Sequence, residues 1–305
     1  MPERCSYTCD RARSAASAQS FPLDDYDFDK LRAVLEKEWR QALVRYSAPP
    51  LTEMMEYALQ GGKCLRGLLL LAAADSCNAQ REQAWDAAAA IEMIHAASLA
   101  VDDLPALDDS PMRRGRLSLH KRFGESAAVL TAHALVAAAF QLMAQIPNEP
   151  ERLLQMTGRL AAAVGGNGMA LAQLIDRPVP APPRDDLRAL KTGSLFQMAA
   201  VTGAALARVH PKLVEDLGQL GLKLGVCYQI VDDFCDNAMD PTDRQALREE
   251  GLRTWRECAQ LFNFVRDELH DVLPLERWFD WFHRQGAKFL EPQRSELEMT
   301  GSRIY

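Results

Sequence analysis

Aromatic side chains are scarce in this sequence, 7% of 305 residues, and the apolar content rests on Ala and Leu more than on Val, Ile and Tyr. Ala and Leu lose little or no rotamer freedom in a helix, whereas strands favour β-branched and aromatic residues, so an all-α protein is the leading class. No segment alternates apolar and polar residues with period two, and no two such segments flank an Asn-Gly turn. A basic excess is missing too. Lys and Arg number 35 against 42 Asp and Glu, a formal charge of −7, which argues against a general binder of nucleic acid or anionic membrane. The seven cysteines (Cys5, Cys9, Cys64, Cys77, Cys227, Cys235, Cys258) are odd in number and lack CxxC spacing. Neither a disulfide framework nor a zinc site is indicated, and a reducing, cytoplasmic setting fits best. The longest apolar stretch, 127–146, is mostly Ala and is interrupted by Thr131, His133 and Gln141. It reads as a buried core helix, so no stable membrane anchor is expected. The first twenty residues mix Arg4, Arg11 and Arg13 with Glu3 and Asp10 and repeat no apolar face, which predicts a disordered tail over 1–22 and a helical domain over 23–305.

Helical periodicity begins at Asp29, with Leu31, Val34, Leu35, Trp39 and Leu43 on one face, and stops at Ser47-Ala-Pro-Pro50. Further helices are predicted near 51–60, 64–76, 80–103, 125–146, 150–163, 184–208, 211–236, 244–271 and 274–290. Gly61-Gly62, Pro105, Pro147, the run from Pro178 to Pro183, and Pro241 punctuate them.

Two acidic segments stand out, Val101-Asp-Asp-Leu-Pro-Ala-Leu-Asp-Asp109 and Val231-Asp-Asp-Phe-Cys-Asp236. Each closes an apolar helical stretch. Asp232 and Asp236 are four apart and share a helix face, while Pro105 breaks the first helix so that Asp108 folds back beside Asp102. Carboxylates at a helix C-terminus oppose the dipole, and several converging in an apolar wall repel unless a divalent cation neutralises them. Hard oxygen donors that leave positions for phosphate oxygens suit Mg²⁺. One such run alone reads equally well as a solvated loop or cap; two on apolar helices favour the metal reading.

Cations accompany them. Gly61-Gly-Lys-Cys-Leu-Arg66 places Lys63 and Arg66 where a Gly pair opens a helix, Met112-Arg-Arg-Gly115 follows the first acidic segment, and Lys191-Thr-Gly193 adds a cation and a hydroxyl. Backbone N–H groups at a helix start, with guanidinium forks, form a phosphate site. The combination points to a diphosphate held between Mg²⁺ and Lys/Arg.

The ordered segments GGKCLR (61–66), EMIHAASLAVDDLPALDD (92–109), MRRGRLSLHKRFGES (112–126), GMALAQLID (168–176), LKTGSLF (190–196) and YQIVDDFCD (228–236) closely resemble the trans-isoprenyl diphosphate synthase (polyprenyl synthetase) family. The resemblance covers about 30–236, and is greatest to bacterial short-chain synthases of farnesyl or geranylgeranyl diphosphate. It implies a single-domain helical bundle around a deep central cleft, a homodimer, and three Mg²⁺ ions gripping an allylic diphosphate (dimethylallyl, geranyl or farnesyl). Asp102, Asp108 and Asp232 match direct metal ligands, with Asp103, Asp233 and Asp236 direct or through water. Arg113, Lys191 and Gln229 match the allylic diphosphate site, with Thr192 and Gln173 adjacent. Lys63, Arg66, His95 and Arg114 match the isopentenyl diphosphate site; His95 also reads as a satisfied core histidine. The implied reaction ionises the allylic C–O bond and joins isopentenyl diphosphate head to tail. Product length is set in the family beneath the first acidic motif. Ala97 and Ser98 there are small, which predicts a twenty-carbon product before a fifteen-carbon one; Met93, Leu135 and Val136 are the other candidates for the pocket floor.

Three positions depart from the family pattern. Cys64 replaces an Arg, His133 replaces an Asp, and the segment 237–254 after Asp236 holds no Lys, leaving Arg244 or Arg253 as substitutes. Arg for Lys is not conservative at a phosphate. A weak synthase-like subunit that binds prenyl diphosphates therefore stays open as an alternative, as does a class I terpene cyclase, although a cyclase needs no second diphosphate site.

Overall fold

The computed structural model describes residues 26–176, 187–235 and 241–285. The expected tail over 1–22, Asp236 and the proline run therefore lie outside the described residues. Helix α1 (Phe28–Tyr46) opens on Asp27, whose side chain accepts from the N–H groups of Asp29 and Lys30, and buries Leu31, Leu35, Trp39 and Leu43. Helix α2 (Leu51–Leu59) leads through the Gly pair into α3 (Leu65–Ser76), which is buried almost all round. The Ala-rich α4 (Arg81–Asp102) packs on α3 and on α6 (Glu125–Gln145), its small side chains permitting close approach. Helix α7 (Pro150–Val164), α8 (Met169–Ile175), a π-helical turn (Ala189–Gly193) and α9 (Ser194–Leu206) follow, then α10 (Pro211–Cys235), α11 (Pro241–Arg266) and α12 (Leu273–Gln285).

The all-α expectation holds, with one exception. A two-stranded antiparallel ribbon, β1 (Met112–Arg113) and β2 (Arg116–Leu117), pairs Met112 with Leu117 and Arg113 with Arg116. Its turn residues Arg114 and Gly115 have φ of 53° and 75°. Positive φ at both central residues is the twist a two-residue hairpin demands, and here Arg fills a position that Asn or Gly usually takes. The short α5 (Leu119–Phe123) and α8 also escape periodicity. Pro241, read as a break, begins α11, because a first-turn residue needs no N–H partner.

Helix α6 is only partly the buried core helix expected. It is long and apolar enough to span a membrane, yet 44% of that window is buried. One face packs on α4, while Val129 and Leu130 on the other are exposed.

Candidate active site

Helices α3, α4, α6, α8 and α10, the ribbon and the π turn enclose a cleft of about 720 Å³. Asp102 stands at the last residue of α4, where the chain turns at Pro105 and the Asp108 N–H donates to the Asp102 carbonyl at 2.9 Å. Asp102 and Asp108 thus share the cleft wall with Asp232 from the end of α10. Burial pushes the Asp102 carboxyl up to about 6; Lys191 opposes the rise and Asp108 adds to it. Among the described residues no three acidic, His or Cys side chains form a ready metal cage. Sites that offer only one or two carboxylates, with room for phosphate or water oxygens, suit Mg²⁺ better than cations that need an all-protein cage.

The second Asp of each motif is used differently. Asp103 is 2% exposed and is gripped by the Arg113 fork, with Nη2 2.5 Å and Nε 3.0 Å from Oδ1. Asp233 accepts from Gln229 Nε2 at 2.7 Å and from Arg188 Nε at 2.9 Å. Neither lines the cleft. Each instead orients a neighbour that does, Arg113 and Gln229. Gln229 in turn accepts from the Thr192 hydroxyl at 2.6 Å, and Arg188 also reaches Glu250 on α11 at 2.9 Å.

The π turn sets Lys191 and Thr192 into the same cleft, beside Gln173 from α8. Lys191 Nζ donates to Asp176 at 2.5 Å. Burial alone would favour its neutral form, but Asp176, Asp102 and Asp108 outweigh it and raise its pKa.

Across the cleft lie Lys63, Arg66, His95 and Arg114. Lys63 is exposed, whereas Arg66 is 7% exposed, sits 4.7 Å above the Phe196 ring, and has an Nε with no hydrogen-bond partner. Arg114 donates through Nη1 to the carbonyls of Ala58, Leu59 and Gln60, capping α2, and lies against Gly62, where a Cβ would stand 3.0 Å from its guanidinium. Burial, then the charges of Arg66, Arg114 and Arg113, hold the His95 pKa well below its ordinary value, so the imidazole is neutral. Cys64, in the left-handed region at φ 53°, is buried with its thiol pKa raised by desolvation. Ala97, Ser98 and Val136 line the apolar wall, but Met93 and Leu135 are fully buried behind it and do not.

The polyprenyl synthetase family model matches residues 48–247, a span that contains every cleft residue named so far. The chain belongs to the polyprenyl synthetase family. It is 36% identical over 228 residues to geranylgeranyl pyrophosphate synthase 11, chloroplastic, of Arabidopsis thaliana, a match covering 69% of this chain and 64% of that protein. An FPP/GFPP synthase from Zymomonas mobilis superposes with a TM-score of 0.73 at 27% identity, covering 85% of this chain and 99% of the other. A geranyltransferase from Legionella pneumophila gives 0.76 at 25% identity, covering 85% and 96%. The chain thus spans under two thirds of that curated relative's length.

Several residues of the site were not legible in the sequence. Tyr228 is the single Phe, Tyr or Trp among the described residues that line the cleft. Asp176, Arg188 and Glu250 act through ion pairs between distant segments, and no spacing rule connects them. Arg244 reaches the Phe234 carbonyl at 3.3 Å and lies over that ring, at the C-terminal end of α10, whereas Arg253 is exposed.

Proposed function

We propose that this protein transfers an allylic prenyl group to isopentenyl diphosphate, with Mg²⁺ as cofactor and geranylgeranyl diphosphate as product. The observation that carries this reading is one cleft flanked by carboxylates of two separate motifs, by Lys/Arg from three segments, and by a wall of small apolar side chains. A single anion would need only one of the two cation groups. Asp102, Asp108 and Asp232 are the residues that would hold Mg²⁺, with Asp236 as a fourth candidate. When bound, the cation supplies charge that offsets their repulsion and stabilises the departing diphosphate.

Lys191, held by Asp176, and Arg113, held by Asp103, face the same diphosphate as fixed cations. Preorganised charges of this kind favour ionisation because they need no rearrangement as charge develops. Arg66, Arg114 and exposed Lys63 take the second diphosphate, and neutral His95 donates a hydrogen bond without adding charge. The allylic C–O bond breaks, the acceptor double bond forms the new C–C bond, and the proton lost from the acceptor passes to the released diphosphate. The alanine-rich wall keeps water from the cation. Small Ala97 and Ser98 leave depth for twenty carbons. A second copy of this chain is the partner assigned to the exposed apolar face of α6, and a reducing cytoplasm is the setting assigned to the free cysteines.

The deciding experiment incubates the protein with Mg²⁺, isopentenyl diphosphate and each allylic primer, then identifies prenyl alcohols after phosphatase treatment. A twenty-carbon alcohol is expected. No elongation with any primer would leave a binding subunit, and a cyclic hydrocarbon would make it a cyclase.

A further inference from the structure

Glu92 lies on α4 one turn before His95, yet it does not line the cleft. It is 4% exposed, and its Oε1 accepts the Gly67 N–H at 2.7 Å in a buried bond. Gly67 is the third residue of α3, whose N-cap is Cys64, a residue with no capping side-chain bond. An orphan N–H of that first turn is therefore satisfied from a neighbouring helix, by a carboxylate at the positive end of the α3 dipole. Glycine is what admits it. A Cβ at Gly67 would stand 3.1 Å from Glu92 Cγ and 2.7 Å from Leu35 Cδ2.

The cations of the second anion group rest on this carboxylate. Arg66 precedes Gly67, stacked on Phe196 with its Nε unpartnered, and Arg114 is fastened to the α2 carbonyls from the other side. Taking guanidinium groups out of water is costly unless a counter-charge is near. For both arginines Glu92 is the foremost negative charge acting against that cost; burial raises the Glu92 carboxyl itself, and the Gly67 N–H, Arg66 and Arg114 act against that rise. Glu92 thus stands behind the cleft wall and the cations in front of it.

We propose that Glu92 is a positioning residue for the anion subsite of Lys63, Arg66 and Arg114. It is the buried counter-charge that fixes the first turn of α3 and keeps two guanidinium groups directed at an incoming diphosphate. The identity of that ligand as isopentenyl diphosphate rests on the prenyl-transfer reading; the anion subsite does not.

Two substitutions separate charge from shape. Glu92→Gln keeps the side-chain length and an oxygen for the Gly67 N–H but removes the charge. Glu92→Asp keeps the charge and loses a methylene of reach. A purely structural cap is served better by Gln, a counter-charge better by Asp. The measurements are steady-state KM for isopentenyl diphosphate and for the allylic primer, calorimetric binding of inorganic pyrophosphate without Mg²⁺, and far-ultraviolet circular dichroism.

Glu92→Gln is expected to raise KM for isopentenyl diphosphate about ten-fold, hold the primer KM within about two-fold, and weaken pyrophosphate binding, while Glu92→Asp stays within about three-fold of the parent. The reverse order of the two variants, an equal rise in both KM values, or loss of the helical fold in Glu92→Gln would overturn the proposal. A parent protein that elongates no primer defeats the functional reading alone. The pyrophosphate titration then decides for Glu92, and unchanged binding in Glu92→Gln, or none in the parent, counts against it.

Discussion

At the scale of single residues, Asp102, Asp108 and Asp232 face the cleft, whereas Asp103 and Asp233 serve it from behind. Asp102 belongs to the first kind, and its raised pKa makes it a liability to the metal-free fold. Its ordinary value is 3.8 and its folded value about 6, so between these the folded state holds the extra proton. The stability linked to that proton is present below about pH 4 and is lost as pH rises through about 6. Asp102→Asn is therefore expected to abolish elongation and yet to raise Tm at about pH 8 in chelator, the gain fading towards pH 4. Thermal unfolding across pH checks this; a lower Tm at every pH would contradict it. The motif aspartates, Lys191 and the Gly-Gly-Lys segment were legible because their chemistry is written in short spacings. The family resemblance set Asp103 and Asp233 beside their neighbours as metal ligands, direct or through water. The tertiary fold brings Arg113 and Arg188 onto them, contacts that no spacing in the sequence announces.

At the scale of elements, the long helices were legible from apolar periodicity and proline punctuation, and the small pieces were not. The ribbon depends on a left-handed Arg114, whose strain of about 1 kcal/mol or more is offset by the three carbonyls its side chain caps. The π turn interrupts what periodicity read as one helix over 184–208, and it turns Lys191 and Thr192 into the cleft. Its position is set by α10, where a Cβ at Gly225 would lie 2.6 Å from Gly193 Cα and 3.0 Å from both Phe196 Cβ and the Thr192 carbonyl. Gly225→Ala is expected to part these segments, costing about 1–3 kcal/mol in urea unfolding and reducing kcat, because Lys191 and Thr192 move with the turn. Parent-like stability and turnover together would show that the seam yields freely.

At the scale of the whole molecule, the modest charge of −7 conceals two opposed fields that meet in one cleft. Each kind of ligand neutralises the half that repels the other. Pyrophosphate with Mg²⁺ is accordingly expected to raise Tm more than the sum of either alone, approaching about 2.7 kcal/mol of stabilisation at a hundred-fold excess over Kd. Chelation should reverse it, and additive shifts would show that the two halves do not communicate. The bundle and its cleft were foreseeable from ordered motifs, but the closure of the chain on itself was not. The Ser76 hydroxyl, at the end of α3, accepts the Leu275 N–H at 3.1 Å, and the Ser76 carbonyl accepts the Asp271 N–H, also at 3.1 Å. Phe282 of α12 also packs on Phe196, the ring beneath Arg66. A growing chain leaving the ribosome therefore carries the aspartate motifs into the cell before the support for its earliest cation loop exists. That support comes from residues 271–282, which are synthesised after every cleft residue named above.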